Sequence, residues 1–354
     1  LKEPLFFEID GSFGEGGGQI LRTSITLSVV LNKPIKIKNI RAKRKNTGLR
    51  PQHVTAVKLL AELCDAEVQN LQVGANWITF KPGQKHRSSI KFDVGTAGSI
   101  PLILIAALPA ASLNGVGCDL EIKGGTDVKW SPTIDYFQFV VLPAFKFLGM
   151  DCTIEVGKRG YFPRGGGIVK ANIKPLKKLK PLQLVSRINS PLSCISICSN
   201  LPKNVAERQM RAALESLYSQ NMKCNNVVTT VIDAIASGSS ITLYSVNKGS
   251  FLGADNIGEQ GKPAENVGEQ VAQLFLKEYL SEAPIDMHLG DMLVTPLFLA
   301  TDESKFKVSS LTQHIRTSLH VASVLTERKY YFEIHNNGAA TITIKSDSTD
   351  GPME

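Results

Sequence analysis

Leu5-Phe-Phe-Glu-Ile-Asp10-Gly-Ser-Phe-Gly-Glu15-Gly-Gly-Gly18-Gln-Ile-Leu-Arg22 sets a β-type run against a glycine-rich turn and the start of a helical pattern. Residues 5–10 read as a strand and 18–31 as a helix. Residues 34–42 then read as a strand and 51–63 as a helix, with Val54, Val57, Leu59, Leu60 and Leu63 on its apolar side. Strands near 67–73 and 76–81 complete a βαβαββ order.

That order returns at once. Residues 90–94 read as a strand, 97–113 as a helix, 118–123 as a strand and 133–148 as a helix, and strands follow at 151–156 and 167–173. A partial third copy has helices at 286–299 and 311–325 and strands at 305–309, 329–335 and 339–345. Its first strand is expected upstream, at 182–187. Self-similarity at a period of roughly 85 residues predicts repeated modules packed together. Residues 188–283 carry their own pattern: a strand at SCISICSN, a helix at 205–218, strands at 227–233 and 241–246, and a helix at 266–280. The lysine- and proline-rich KPLKKLKPLQ fits a linker into that segment. The expected fold is therefore α/β (α+β). Three βαβαββ modules form a large domain, 1–187 with 284–354, and a smaller α/β domain, 188–283, is inserted into the third.

Composition narrows the class. The 354 residues are 43% hydrophobic, and 29 glycines occur without a strict period, which excludes a disordered or collagen-like chain. Forty basic against 32 acidic residues, a formal charge of +8, suggest an anionic partner. The uncharged stretch 94–118 has its apolar centre at 100–113, broken by Pro101, Pro109 and Ser112, and reads as a buried helix rather than a membrane span. The opening LKEPLFFEID has no long apolar stretch. The six cysteines form no CxxC pair and no zinc spacing, so reduced thiols in a cytoplasmic protein without membrane contact are expected.

Four motifs carry chemistry. In Gly11–Arg22 the glycines let backbone N–H groups approach a phosphate at a helix start; a tight turn would need fewer of them. Glu15 in such a turn repels an anion unless it holds a metal ion or orients a base. Lys33, Lys36, Lys38, Arg41, Lys43, Arg44, Lys45 and Arg50 form a basic run that leads to Gln52 and His53 and suits either a polyphosphate groove or a solvated face. Few aromatics flank it, so a base-stacking platform is not expected there. Ser310 and Gln313 fit a capping box that puts His314 in the first turn of a helix, where a neutral imidazole beside bound phosphate could act as a nucleophile. His320 falls on a different part of that helix. Arg159-Gly-Tyr-Phe-Pro-Arg-Gly-Gly-Gly167 reads as a wide hairpin or an anion-contacting loop. Gly124-Gly-Thr-Asp127 and His288-Leu-Gly-Asp291 lie at element ends, where ligand-facing side chains often sit.

GSFGEGGGQILR, IRAKRKNTGLRPQH, GTAGS, GGTD, RGYFPRGGG and SSLTQHIRTS, in that order, resemble the RNA 3′-terminal phosphate cyclase family along nearly the whole chain. The resemblance implies ATP-dependent conversion of an RNA 3′-phosphate to a 2′,3′-cyclic phosphate through a histidine–AMP intermediate, with a divalent metal, Mg²⁺ or Mn²⁺. By position, His314 matches the adenylylated histidine and Glu15 the acidic residue near metal and nucleotide. Pro132, His288 and Asp291 match the nucleotide pocket. Arg22, Arg41, Arg44, Gln52 and His53 match polar residues around the phosphates and the RNA end. Met292 and Ile105 stand where many members carry glutamine. A non-catalytic, ribosome-biogenesis branch of the family, an enolpyruvyl-transferase-like enzyme and a plain RNA-binding protein are the alternatives. Retention of His314 favours the enzyme over the first. Three modules, where the second needs six, weigh against it. The basic run serves the third equally well.

Overall fold

The computed structural model describes residues 5–347. The protein is a mixed α/β molecule with four small mixed sheets. In the first, β1 (Phe7–Asp10) runs parallel to β2 (Ile35–Lys38), and β4 (Ile78–Lys81) lies antiparallel between β2 and β3 (Glu67–Gln69). Helices α1 (Gly18–Leu31) and α2 (Pro51–Cys64) connect the strands. β2 stops at Lys38, short of the expected 42, because Asn39 and Arg41 adopt left-handed conformations that end the ladder.

The second sheet repeats the order, β5-β6-β8-β7, from β5 (Ser89–Asp93), β6 (Cys118–Gly124), β7 (Cys152–Lys158) and β8 (Gly167–Ile173). Its helix α3 (Ile100–Leu113) is the uncharged stretch, capped by the Ser99 side chain and buried along most of its length. The second helical stretch is α4 (Ile134–Tyr136), a π-helical turn over Phe137–Val141, and α5 (Leu142–Phe147). A third sheet has the order β9-β14-β16-β15 once its later strands are counted: β9 is only Gln183–Leu184, and β14 (Ser304–Val308), β15 (Tyr330–Ile334) and β16 (Ala340–Ile344) follow much later. Helix α8 (Met287–Leu299) precedes β14 and α9 (Gln313–Thr326) follows it.

Between β9 and α8 lies the fourth sheet, β11-β10-β12-β13, with helices α6 (Asn204–Tyr218) and α7 (Ala264–Leu280) packed on each other and on it. Its strands are β10 (Leu192–Ser199), β11 (Cys224–Val231), β12 (Gly238–Asn247) and β13 (Ser250–Ile257). The sequence pattern did not reveal β13. Gly253 within it lies so close to Tyr136 and Val140 that a Cβ there would stand 2.6 Å from Val140 Cγ2. Buried side chains of the described residues fall into a large cluster and a second one drawn from Leu192 to Phe275.

Helix α1 lies at the centre of the large cluster, packed against α9, α3 and α2. It buries polar as well as apolar residues, and the Thr26 hydroxyl donates to the Ala106 carbonyl at 3.0 Å. That packing puts its first turn, which carries the glycine-rich motif, against the start of α9. No described helix is long and apolar enough to cross a membrane.

Candidate active site

Gly14 and Gly16 take φ of +56° and +59°, which lets the turn fold back so that Glu15 projects in front of α1. Gly17 caps α1 without any side-chain hydrogen bond, and the first turn itself holds no acidic residue, so its leading N–H groups have no side-chain acceptor. Over it lies Arg44, whose Nη2 would stand 3.6 Å from a Cβ at Gly17. Arg44 donates to Glu15 Oε2 at 2.7 Å, while its Nε has no hydrogen-bond partner among the described residues.

His314 approaches the same Glu15 oxygen from the other side, Nε2 to Oε2 at 3.5 Å. The helix start that presents it is capped by Thr312, whose hydroxyl accepts from the Ile315 N–H at 3.1 Å. The expected Ser310–Gln313 capping box is therefore not the cap; the chain turns two residues later, and His314 still falls in the first turn.

Gln19, buried in α1, is the residue that the motif reading passed over. Its Nε2 donates to the His314 carbonyl at 2.9 Å and also contacts Asp291 Oδ1 and Ser318 Oγ. The carbonyl can only accept, so the amide nitrogen must face that way and the amide oxygen must face His314 Nδ1. Nδ1 then carries a proton, and Nε2, which in the neutral ring holds the lone pair, points to the space shared with Glu15. Ser318 donates to Asp291 Oδ1 at 3.0 Å. Burial raises the Asp291 pKa, while His314, the Ser318 hydrogen bond and Arg22 oppose the shift.

The other candidates divide. His53 is fully buried, its Nδ1 accepts from the Arg50 N–H at 3.0 Å, and its Nε2 lies against Gly18. Burial, with Arg22, Arg41 and Arg50 adding to it, pushes its pKa down to about 3, so the ring is neutral. Arg22 and Gln52 line a small cavity with Gly98 and Ser99 of the GTAGS motif. Arg41 donates to the Asn46 carbonyl at 3.3 Å. His288 is exposed in the first turn of α8, and Pro132 is half-buried just before α4. The two helix starts are tied together: Tyr136 donates to Asp286, the cap of α8, at 2.7 Å, and the Thr133 N–H donates to Asp255 of β13 at 2.5 Å. Met292 and Ile105 pack against the main core.

The basic run does not act as one surface. Lys33 pairs with Glu327 at 3.2 Å and Lys38 with Glu8 at 2.5 Å, whereas Arg44 in the loop beyond them reaches Glu15 of the glycine-rich motif at 2.7 Å. Asp127 is not ligand-facing. It is buried with Asp135 around Arg159, at 3.2 Å and 2.7 Å, so this arginine of the RGYFPRGGG run holds structure rather than an anion.

The fold and this constellation define a mixed α/β protein with a histidine, a carboxylate and an arginine gathered at a bare helix N-terminus. The family model for RNA 3′-terminal phosphate cyclase matches residues 13–332. Among curated relatives, the RNA 3′-terminal phosphate cyclase of Staphylothermus marinus is 42% identical over 339 residues, 94% of this chain and 95% of its own. That of Methanococcoides burtonii is 43% identical over 330 residues, 93% and 97% of the two chains. That of Pyrococcus furiosus is 43% identical over 314 residues, 88% and 91%. The chain belongs to the RNA 3′-terminal phosphate cyclase family.

Proposed function

We propose that this protein is an ATP-dependent RNA 3′-phosphate cyclase working through a histidine–AMP intermediate. The observation that carries the reading is the meeting of His314 Nε2, Glu15 and Arg44 at the start of α1, in a chain of this family. In the first step the Nε2 lone pair attacks the α-phosphorus of ATP, and the bond to the leaving diphosphate breaks. An oxygen of the RNA 3′-phosphate then displaces the histidine, cleaving the P–N bond and producing an RNA–pp–A end. Finally the neighbouring 2′-hydroxyl attacks the 3′-phosphorus, loses its proton and expels AMP. A phosphomonoester has no good leaving group, and adenylylation supplies one.

Gln19 holds the tautomer in which Nε2 is nucleophilic. The α1 N–H groups, Arg44 and Arg41 face the phosphates, with Arg22, Gln52 and His53 shaping the floor beneath the RNA end. Pro132, His288 and Asp291 border the nucleotide. No group of three or more His, Cys, Asp or Glu side chains is gathered in metal-binding geometry among the described residues. A lone carboxylate fits Mg²⁺ or Mn²⁺ held largely by substrate phosphates, and Glu15 would contribute Oε1, which makes no hydrogen bond among the described residues. Bound there, the cation would neutralise polyphosphate charge beside the nucleophile. We further infer that the strand order common to three sheets is an internal repeat, and that residues 188–283 are an inserted domain.

The test is incubation with ATP labelled at the α-phosphate and a divalent metal. Acid-labile, alkali-stable label is expected on the wild type and none on His314→Ala. An unlabelled wild type that still binds RNA overturns the enzyme reading in favour of a binding protein.

A further inference from the structure

Two large aromatic side chains, Phe13 and Phe332, remain 39% and 40% exposed, and each is stacked by a residue of α9. The rings of Phe13 and His320 lie 3.8 Å apart at 16°, and the Arg316 guanidinium lies over the Phe332 ring at 4.8 Å. Arg316 and His320 are four residues apart on one helix, so both pairs stand on the same face of α9, one turn apart. The strip begins at the reaction centre. Phe13 belongs to the turn that carries Glu15, while Arg316 and His320 point to a different side of α9 from His314, so the strip leads away from the centre at Phe13. Val324, 37% exposed and one turn beyond His320 on α9, extends the apolar surface.

The chemistry of these pairs names a partner. Flat π faces and a guanidinium plane suit a ligand with aromatic rings and a negative backbone, and nothing in the strip offers the ordered set of donors and acceptors that reads base edges. Arg316 has no ion-pair partner among the described residues, which leaves its charge for a phosphate. Burial lowers the His320 pKa, so its ring is uncharged at neutral pH and stacks as an aromatic. Unpaired nucleotides have this combination; a duplex hides its base faces. The aromatic platform that the basic run lacks in sequence is assembled here from the turn at Phe13 and two consecutive elements, α9 and β15, near the other end of the fold.

We propose that Phe13, Arg316, His320 and Phe332 form a stacking platform for the unpaired nucleotides just upstream of the RNA 3′-phosphate. It rests on the cyclase reading for the identity of the strand, and recognition is by stacking, so it tolerates any sequence.

The experiment uses the full chain, a single-stranded decamer and a nucleoside, both 3′-phosphorylated, and labelled ATP. Loss of one stacking contact corresponds to roughly a tenfold weakening. Phe332→Ala and Arg316→Ala are therefore expected to raise both the decamer Kd, read by fluorescence anisotropy, and its KM about tenfold. The nucleoside 3′-phosphate KM and the ATP labelling should be unchanged, and Phe332→Trp should restore decamer binding. A decamer Kd within about twofold of wild type in both alanine variants overturns the platform while the cyclase reading stands. Equal weakening of the short substrate, or binding of duplex as tight as single strand, overturns it too. A wild type that takes no label defeats the cyclase reading alone, because the anisotropy arm judges the platform without catalysis.

Discussion

The Gln19 amide oxygen faces His314 Nδ1 across 295 residues of chain, joining the first turn of α1 to the first turn of α9. One buried side chain thus sets the tautomer of an exposed imidazole. Its own orientation is fixed in turn by the His314 carbonyl and by Asp291.

Replacing Gln19 with leucine removes the acceptor that holds the proton on Nδ1. The rate of label transfer from ATP should fall on the order of 10²-fold or more, with the ATP KM little changed. A single-turnover measurement at several ATP concentrations separates the two. A raised KM at full rate would mean that Gln19 serves binding alone.

Glu15→Ala leaves Arg44 and His314 without their shared partner but removes no core contact, since Glu15 is exposed. Labelling should slow far more than RNA affinity weakens. Equal loss of both would assign Glu15 to the fold of the turn.

Gly18→Ala should disable the site while leaving most of the protein folded. A Cβ there would stand 2.1 Å from His53 Nε2, and that ring is buried and held by the Arg50 N–H. Either the ring or the start of α1 must move, at a cost of about 1–3 kcal/mol. Adenylylation and the unfolding midpoint of the same preparation report the two effects.

Stability should decline as pH rises through the range in which two buried carboxyls ionise, Glu278 in the last turn of α7 and Asp286 at the cap of α8. Burial, with the Asp286 carboxylate next, raises Glu278 to about 7, and burial raises Asp286 to about 6. Folded values above the unfolded ones mean that the folded state holds these protons more tightly. Their stabilisation is complete below about pH 4 and is lost as pH climbs through about 6 and 7. Between about pH 5 and 8 the wild type should lose more stability than Glu278→Gln, by on the order of a few kcal/mol. Urea unfolding at a series of pH values measures the difference.

Arg159→Ala strands two buried carboxylates, Asp127 and Asp135, and should cost about 3–5 kcal/mol in the urea midpoint analysis. Arg159→Lys should recover little, because Nη1 contacts both carboxylates and Nη2 binds Asp135 as well, a fork that an ammonium does not reproduce.

Much of the architecture is legible locally. The helix at 18–31 and the strand at 167–173 have their expected bounds, since hydrophobic period and turn residues act over a few positions. β13 was missed because SFLGADNI mixes glycine and acid with apolar residues, and its fit comes from Tyr136 and Val140 rather than from its own alternation. Glu15 and His314 were legible as site candidates from their motifs. Gln19 was not, because a glutamine in an apolar helix looks incidental until its partners arrive.

The sequence by itself determined the order of the strands and helices apart from β13, the glycine-rich turn and the position of His314 at a helix start. Tertiary structure alone decided which charges are spent on each other. Lys33 and Lys38 are paired, Asp127 is sealed around Arg159, and Arg44 keeps a free N–H at the start of α1. It also decided that Phe13 meets His320. The reason is range: propensity and capping depend on neighbours in the chain, whereas ion pairing, tautomer and stacking depend on which elements cross, and packing around α1 determines that.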